Sequence, residues 1–302
     1  MSPRLLSRAW RRRFALGLPT ILGLRPRGWF LPHRYAGDLS APGGYPALET
    51  LFRRAEPAFH AHLALLASHR DDFAAILRRE DRPAGGEPGQ ARWRQGWFPR
   101  LDAASAYALV RQRRPARIVE VGSGHSTRFL LRAIADGGLA TRLTAIDPAP
   151  RATLEGQPLT LLRRTLQQAG LAPFAGLAAG DMVMIDSSHL LMPGSDVDLL
   201  FAEVLPRLPP GVLLQVHDIF LPDGYPADWA WRGYNEQQGL VGWLASGALR
   251  PLFASRYAAT RLAAETAAAV GWLPLRPGTP ETALWLETAA METMPRADLT
   301  PS

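Results

Sequence analysis

A short apolar run that ends in two closely spaced glycines constrains the fold of this 302-residue chain more than any other feature. Residues 117–121 are rich in β-branched side chains, which predicts a buried strand, and Gly122 and Gly124 end that run. Glycine adopts backbone conformations that are closed to other residues and lets a ligand approach the chain closely. Ser126 or Thr127 then caps a predicted helix whose free N–H groups face the ligand. The stretch therefore predicts a strand, a ligand-binding turn and a helix.

Predicted strands and helices alternate along most of the chain that follows. Apolar runs predict strands at residues 117–121, 143–146, 159–163, 182–185, 212–216, 252–260 and 283–287, and helices at 102–113, 126–136 and 197–208. Alternation of this kind predicts a Rossmann-like α/β fold, a doubly wound and mostly parallel sheet with helices on both faces. Apolar spacing over residues 50–80 predicts an N-terminal helical extension of one or two helices, followed by a link at 81–90.

Composition excludes several kinds of site. The chain has no cysteine, so disulfides, thiolate metal sites and a cysteine nucleophile are excluded. Lysine is absent as well, which removes Schiff-base and P-loop chemistry. The net charge of +7 is concentrated in residues 1–34, which hold arginines at positions 4, 8, 11, 12, 13, 25, 27 and 34 and no acid. Because the rest of the chain is close to neutral, no nucleic-acid groove and no nucleic-acid partner are predicted.

The basic N-terminal segment has two interpretations. No run of about 18 apolar residues occurs, which predicts no transmembrane helix. Pro19 interrupts the apolar stretch and no clear cleavage site follows, so no signal peptide is predicted and we expect a cytoplasmic protein. Leu6, Trp10 and Phe14 fall on one helical row among arginines. Such a row fits a helix that makes peripheral contact with a membrane, and it fits a partly ordered basic tail equally well.

Glycine or polar residues directly follow four of the predicted strands. In a parallel sheet, binding sites lie at this edge, beyond the carboxyl ends of the strands. The residues are Gly122, Asp147, Asp186, His217 and Asp218. An acid at the position of Asp147 accepts both hydroxyls of a ribose, in a nicotinamide dinucleotide or in S-adenosylmethionine. The dinucleotide fingerprint requires a third glycine at position 127, where this chain has threonine. Glu120 suits a cofactor with a positively charged amino group, so the pattern favours S-adenosylmethionine.

The loops after the fourth and fifth strands carry the candidate catalytic groups. His189 stands three residues after Asp186, and an imidazole titrates near neutral pH, so His189 can take a proton from a substrate hydroxyl. Asp186, His217 and Asp218 can together hold a divalent cation that lowers the pKa of that hydroxyl, since carboxylates suit Mg²⁺. The alternative is that an aspartate after a strand serves only as a helix cap.

Five motifs occur in a fixed order along the chain. They are residues 120–127 (EVGSGHST), 146–151 (IDPAPR), 180–189 (GDMVMIDSSH), 194–198 (GSDVD) and 216–222 (VHDIFLP). Together they resemble the motif series of class I S-adenosylmethionine-dependent methyltransferases. The closest similarity is to bacterial proteins of the methyltransferase-24 type, which are often proposed to modify sugars or polysaccharide. The similarity covers about residues 93–245. Residues 20–36 also resemble the segment that precedes the domain in that subgroup.

The resemblance implies S-adenosylmethionine as the cofactor and assigns its binding residues. The residues implied around its methionine part are Gly122, Ser123, Gly124 and Ser126, with Glu120 nearby. Asp147 is implied at the ribose, and Asp186 is implied beside the cofactor at the next strand end.

The resemblance also bears on the metal and the base. Related macrolide-sugar O-methyltransferases pair an aspartate metal ligand with a histidine base three residues later, which is the spacing of Asp186 and His189. In those enzymes a pair of acids after the fifth strand provides further ligands to the metal. In this chain His217 stands first in that pair, so Asp218 is the better candidate ligand for Mg²⁺.

We therefore predict an enzyme, an S-adenosylmethionine-dependent methyltransferase that modifies a hydroxyl of a sugar, glycan or secondary metabolite with His189 as general base. We divide the chain into a basic tail with a helical extension at residues 1–90 and a methyltransferase domain at 91–302. The expected partners are a small-molecule or carbohydrate acceptor, which the carboxamides of Asn235 and Gln237 suit, and a second copy of the chain in a homo-oligomer. Two rival hypotheses stay open, a nicotinamide-dependent oxidoreductase and a cofactor-binding module without turnover.

Overall fold

The computed structural model describes residues 8–25, 27–29, 31–81 and 89–290, and the chain forms two compact units. The smaller unit comprises the residues up to Gly43 together with Tyr225–Gly233, and the larger one comprises Gly44–Gly224 and the residues from Tyr234 onward. Leu6 and most of the predicted link at 81–90 lie outside the described residues. The division at residue 90 stays a prediction.

The smaller unit consists of short helical segments. They are α1 (Arg8–Arg12), a π-helical turn (Arg13–Gly17), α2 (Leu18–Ile21) and two 3₁₀ turns (Ala36–Asp38 and Ala227–Arg232). The rings of Trp10 and Phe14 stack with their centroids 4.4 Å apart, as expected for side chains four residues apart on one helical row. Within the part of the chain that the structure describes, no helix has the length and apolar character needed to cross a membrane.

Helices of the larger unit flank and connect its strands. They are α3 (Pro46–Arg54), α4 (Glu56–Ser68), α5 (Arg70–Glu80), α6 (Arg100–Arg113), α7 (His125–Asp136), α8 (Leu166–Ala169), α9 (Asp196–Leu199), α10 (Glu236–Ala245), α11 (Ser255–Arg261) and α12 (Ala263–Val270). Three of them, α3 to α5, replace the one or two predicted over 50–80. The break between α3 and α4 falls at Ala55, two residues before Pro57, which has no backbone N–H to bond the carbonyl of Arg53 and so cannot continue α3.

A seven-stranded mixed sheet forms the centre of the larger unit. Its strands are β1 (Arg117–Val121), β2 (Arg142–Ile146), β3 (Thr160–Leu162), β4 (Met182–Ile185), β5 (Leu213–Val216), β6 (Leu249–Ala254) and β7 (Leu284–Thr288). The spatial order is β3-β2-β1-β4-β5-β7-β6, with β7 antiparallel to both of its neighbours and the other pairs parallel. The predicted Rossmann-like fold, a mostly parallel sheet with helices around it, is confirmed.

The predicted strand at 252–260 is wrong in its second half. β6 ends at Ala254, and α11 begins at Ser255, whose backbone N–H donates to the carbonyl of Ala283 at 2.9 Å. Tyr257 is buried and its hydroxyl donates to Glu56, so the side chain that suggested a strand packs from a helix instead. A short apolar segment of this kind has no periodicity that separates a buried strand from a buried helix.

The strand register places the ends of four parallel strands in one line. Val121, the last residue of β1, pairs with Ile146 of β2 and with Ile185 of β4, and Ile185 pairs with Val216 of β5. The next residue of each strand therefore lies at the same edge of the sheet. These residues are Gly122, Asp147, Asp186 and His217, so the sheet brings together the residues that the sequence predicts as a site.

Candidate active site

The glycine turn after β1 lies directly against the loop after β4. Gly122 has φ of +83°, and a Cβ atom there would lie 1.9 Å from the carbonyl oxygen of Asp186. The Gly122 N–H donates to the carbonyl of Ile146 at 2.9 Å, and the Asp186 N–H donates to the carbonyl of Val121 at 2.9 Å. Both the backbone conformation and this close approach require glycine at position 122.

Glu120, in β1, holds the glycine turn in place through side-chain hydrogen bonds to the start of α7. Its buried carboxylate accepts hydrogen bonds from the hydroxyls of Ser126 at 2.5 Å and Thr127 at 2.6 Å, and Thr127 Oγ1 accepts the N–H of Gly124 at 2.9 Å. Burial raises the pKa of Glu120 to about 8, against the two hydroxyl donors, which lower it. The helix begins at His125, one residue earlier than predicted. The structure thus gives Glu120 and Ser126 a role in shaping the turn, and their contact with a cofactor stays a prediction.

Asp147 and Ser123 lie together at the open side of the turn. The backbone N–H and the hydroxyl of Ser123 both donate to one carboxylate oxygen of Asp147, at 2.8 and 2.9 Å, while the other oxygen accepts the N–H of Ala149 at 2.8 Å. A Cβ atom built on Gly124 would meet nothing within 4 Å. An oriented carboxylate beside open space fits the ribose and the methionine part of S-adenosylmethionine.

His189 is surrounded by three carboxylates. Its Nδ1 lies 2.9 Å from Glu236, and its Nε2 lies 3.3 Å from Asp186 and 3.5 Å from Asp218. The backbone of His189 is left-handed, with φ of +61°, and its ring lies 4.5 Å from that of Tyr234. Burial lowers the pKa of His189, but hydrogen bonds to Asp186 and Glu236 outweigh burial and hold the pKa well above its ordinary value.

His217 occupies the neighbouring strand end with a comparable set of partners. Its Nε2 lies 3.0 Å from Asp102, and its Nδ1 lies 3.5 Å from Asp218 and 3.8 Å from Asp186. Burial lowers the pKa of His217, but the charge of Asp186 and the hydrogen bond to Asp102 outweigh burial and raise the pKa to about 9. His217 is therefore an imidazolium ion at neutral pH in this arrangement, and the carboxylates around His189 favour its protonated form as well.

Two of these partners, Asp102 and Glu236, were missed by the sequence-based prediction. Asp102 is fully buried near the start of α6 and also accepts the backbone N–H groups of Thr282 and Ala283, at 3.0 and 3.1 Å. An acid at the start of the otherwise apolar run of α6 was the signal that could have revealed it. Glu236 stands in a polar segment, which gives no comparable signal.

The predicted magnesium site does not fit this arrangement. Among the described residues, no group of three or more histidine, cysteine, aspartate or glutamate side chains is placed to hold a metal ion. The Nε2 of His217 already contacts Asp102 at 3.0 Å, and its Nδ1 lies 3.5 Å from Asp218 and 3.8 Å from Asp186. No step of the proposed reaction is therefore routed through a metal.

The carboxamides that were predicted to bind an acceptor are instead used within the protein. Asn235 accepts the N–H of Leu191 at 2.7 Å, and the buried Gln237 accepts the N–H of Phe220 at 2.9 Å. Each also donates to a backbone carbonyl, at 3.2 Å. The Asn235 bonds fix the segment that carries Glu236 against the loop that carries His189, and the Gln237 bonds fix it against the loop after β5.

Residues 119–219 match the family model of a methyltransferase domain, of the methyltransferase-24 type. This segment is therefore similar to class I methyltransferase domains. It contains every site residue that the sequence predicts, from Glu120 to Asp218. The matched segment includes the glycine turn and the acid–histidine cluster, which consists of Asp186, His189, His217 and Asp218. The match gives the hypothesis of a nicotinamide-dependent oxidoreductase no support.

A search of curated proteins found no match. Similar solved structures include a candidate O-methyltransferase from Klebsiella pneumoniae, at 15% identity over 72% of this chain and 90% of that chain with a TM-score of 0.43. An O-methyltransferase from Bacillus cereus in complex with SAH shares 14% identity over 75% and 91%, with a TM-score of 0.41. TomG from Streptomyces achromogenes in complex with SAM shares 16% over 72% and 89%, with a TM-score of 0.39. Similarities at this level carry no argument about activity.

Proposed function

We propose that this chain transfers a methyl group from S-adenosylmethionine to a hydroxyl of a sugar, glycan or secondary metabolite in the cytoplasm. The observation that carries the proposal is the common register at the ends of β1, β2, β4 and β5. That register brings the glycine turn, Asp147 and the acid–histidine cluster to one edge of the sheet. A cofactor lying along this edge has its ribose at Asp147 and its reactive end beside Asp186 and His189.

The proposed cofactor site combines a free backbone turn with oriented acids. Asp147 and Ser123 would hold the ribose hydroxyls, and the open space at Gly124 would take the methionine part. When bound, S-adenosylmethionine supplies a methyl group on a positively charged sulfur. Asp186, whose side chain is 41% exposed, offers that positive charge a carboxylate at the sheet edge.

His189 is the proposed general base. Its Nδ1 is held by Glu236, which directs Nε2 toward Asp186 and Asp218 at the sheet edge. An imidazolium cannot accept a proton, so the reactive form is the neutral imidazole, and its share increases as pH rises. We therefore expect the rate of methyl transfer to increase with pH above neutrality.

Replacement of His189 tests this role. Asparagine tolerates the left-handed backbone at this position, so we expect His189→Asn to fold and to lose about 10²- to 10⁴-fold in transfer rate. Its affinity for S-adenosylmethionine should change by less than about threefold. The measurement is transfer of labelled methyl from the cofactor to a panel of monosaccharides and glycosides, as a function of pH. A variant as fast as the wild type contradicts the role of His189, and cofactor binding without transfer to any acceptor supports the non-catalytic module instead.

We also propose that the smaller unit lies on anionic membrane surfaces. Its exposed large apolar side chains are Phe14, Leu18, Ile21, Leu22, Leu24, Trp29, Leu31, Tyr35 and Leu39. The first four have the spacing of one helical face, and exposed arginines occur in the same segment at positions 11, 12, 13, 25, 27 and 34. Such a face inserts between head groups and acyl chains, while each arginine near anionic lipid contributes about 1 kcal/mol.

Vesicle sedimentation tests this contact. We expect the wild type to bind vesicles that contain phosphatidylglycerol and not vesicles of phosphatidylcholine alone. The double variant Leu18→Ser/Ile21→Ser should bind about tenfold more weakly or worse, because it loses two apolar side chains from the face. Leu275→Ser, at an exposed apolar residue of the larger unit, is the matched control and should bind like the wild type. Equal binding by the double variant, or preferential binding to duplex DNA, contradicts the proposal.

A further inference from the structure

A buried arginine without a counter-charge lies one helical turn beyond the glycine turn. Arg128 in α7 is only 8% exposed, and its Nε is buried with no hydrogen-bond partner. Of the acids in the described ranges, none forms an ion pair with its guanidinium. Arginine is almost never buried unless it is paired, because removing an unpaired charge from water is costly. No ion pair among the described residues therefore explains why the guanidinium of Arg128 is buried.

Two further groups, His125 and Arg92, act on the surroundings of Arg128. His125, in the first turn of the same helix, has a buried Nδ1 without a hydrogen bond. Arg92 is exposed, and the residue after it, Trp93, packs its ring 4.8 Å from that of Phe129 on α7. This contact brings the Arg92 segment alongside the helix start. Two positive charges and an unsatisfied ring nitrogen together favour an anion as a ligand.

The local electrostatics agree with this geometry. Burial and the charge of Arg92 both lower the pKa of Arg128. Burial, Arg128 and Arg92 together lower the pKa of His125 to about 4, so His125 is neutral and can donate from a ring N–H. The charges that act on both groups are thus positive, and the partial positive charge of the helix N-terminus adds to them.

We propose that Arg128, Arg92 and His125 form a subsite for an oxyanion, a carboxylate or a phosphate, at the N-terminal end of α7. A guanidinium presents its N–H groups in a planar fork that matches both kinds of anion. Because α7 begins directly after Gly124, the subsite adjoins the turn that is proposed to hold the cofactor. Two sources of the anion are compatible with this position, the carboxylate of the cofactor's methionine part and an acidic group on the acceptor. Both sources rest on the proposed function, whereas binding of inorganic phosphate tests the subsite without it.

Calorimetric titration of three probes separates these sources. The probes are S-adenosylhomocysteine, 5′-methylthioadenosine, which lacks the amino-acid part, and inorganic phosphate. The test variant is Arg128→Gln, which keeps a long polar side chain and removes the charge. Arg132→Gln is the matched control, one turn further along α7, because Arg132 already pairs with Asp136 at 2.7 Å. The thermal stability of each ligand-free variant is measured alongside.

If the cofactor supplies the anion, Arg128→Gln binds S-adenosylhomocysteine about 10- to 100-fold more weakly, while its affinity for 5′-methylthioadenosine is unchanged. If the acceptor supplies it, both nucleosides bind as in the wild type, and phosphate binding is lost in Arg128→Gln alone. A wild type that binds neither nucleoside contradicts the proposed function, while the phosphate titration still decides the subsite.

The ligand-free stability distinguishes a binding role from a structural one. Because Arg128 is a buried charge without a partner, Arg128→Gln should be at least as stable as the wild type. A loss of stability in this variant, or unchanged binding of all three probes, overturns the proposal.

Discussion

Gly122→Ala is expected to lower the free energy of unfolding by about 4 kcal/mol, or the melting temperature by roughly 10 °C. The new Cβ would lie 1.9 Å from the carbonyl oxygen of Asp186, which belongs to backbone and cannot turn aside as a side chain would. The left-handed φ of +83° adds about 1–2 kcal/mol of strain for any residue with a Cβ. Relief of the overlap would separate β1 from β4 at the proposed cofactor site.

Gly124→Ala is the matched control in the same turn. Its Cβ would meet nothing within 4 Å, so the melting temperature should fall by less than about 2 °C. The same methyl group would project into the space proposed for the cofactor, and we expect the affinity for S-adenosylmethionine to fall about tenfold or more. Thermal unfolding and calorimetric titration measure the two effects. A stable Gly122→Ala variant would contradict the close approach of the two loops.

Asp102→Asn is expected to destabilise the protein by about 3–5 kcal/mol, because it removes the carboxylate that lies nearest to the buried imidazolium of His217, at 3.0 Å. One Asp102 oxygen faces His217 and the Thr282 N–H, and the other faces the Ala283 N–H. An amide NH₂ placed at either position would oppose a donor. Asp71→Asn, at an exposed acid in α5, should cost less than about 1 kcal/mol and serves as the control.

The pH dependence of this effect has a definite sign. The pKa of His217 is raised to about 9 in the folded state, above the value of 6.5 expected in the unfolded chain. Stabilisation from its ion pair is therefore complete below pH 6.5 and is lost as pH rises through 9. Urea unfolding with a chelator present should show the difference between the wild type and Asp102→Asn shrinking over that range. A difference independent of pH would contradict the Asp102–His217 ion pair.

The central sheet and its binding edge were predictable because their signals are local. β1 and β4 are apolar runs that end at a glycine and an aspartate, and the structure gives both strands the predicted bounds. In a parallel sheet the ends of adjacent strands lie together, so Gly122, Asp147 and Asp186 could be assigned to one edge without coordinates.

The parts that could not be predicted depend on contacts between distant residues. Asp102 and His217 are separated by 115 positions, and His189 and Glu236 by 47, so neither pair leaves a spacing pattern in the chain. The same limit applies to the metal prediction at Asp186, His217 and Asp218. Side chains of these types can bind a metal ion, but only the structure shows that Nε2 of His217 already contacts Asp102. From the sequence, Arg128 likewise resembles any exposed arginine on a helix, and only the structure shows that it is buried.

Calorimetric titration with S-adenosylmethionine, on the wild type and on Asp147→Ala, tests the central claim most directly. We expect micromolar binding by the wild type and a loss of about tenfold or more in the variant, because Asp147 and Ser123 would no longer hold the ribose. Binding should be unchanged by Mg²⁺, since the cluster at Asp186, His189 and His217 has no place for the ion. Absence of binding by a folded wild type would contradict the proposed cofactor and, with it, methyl transfer by this chain.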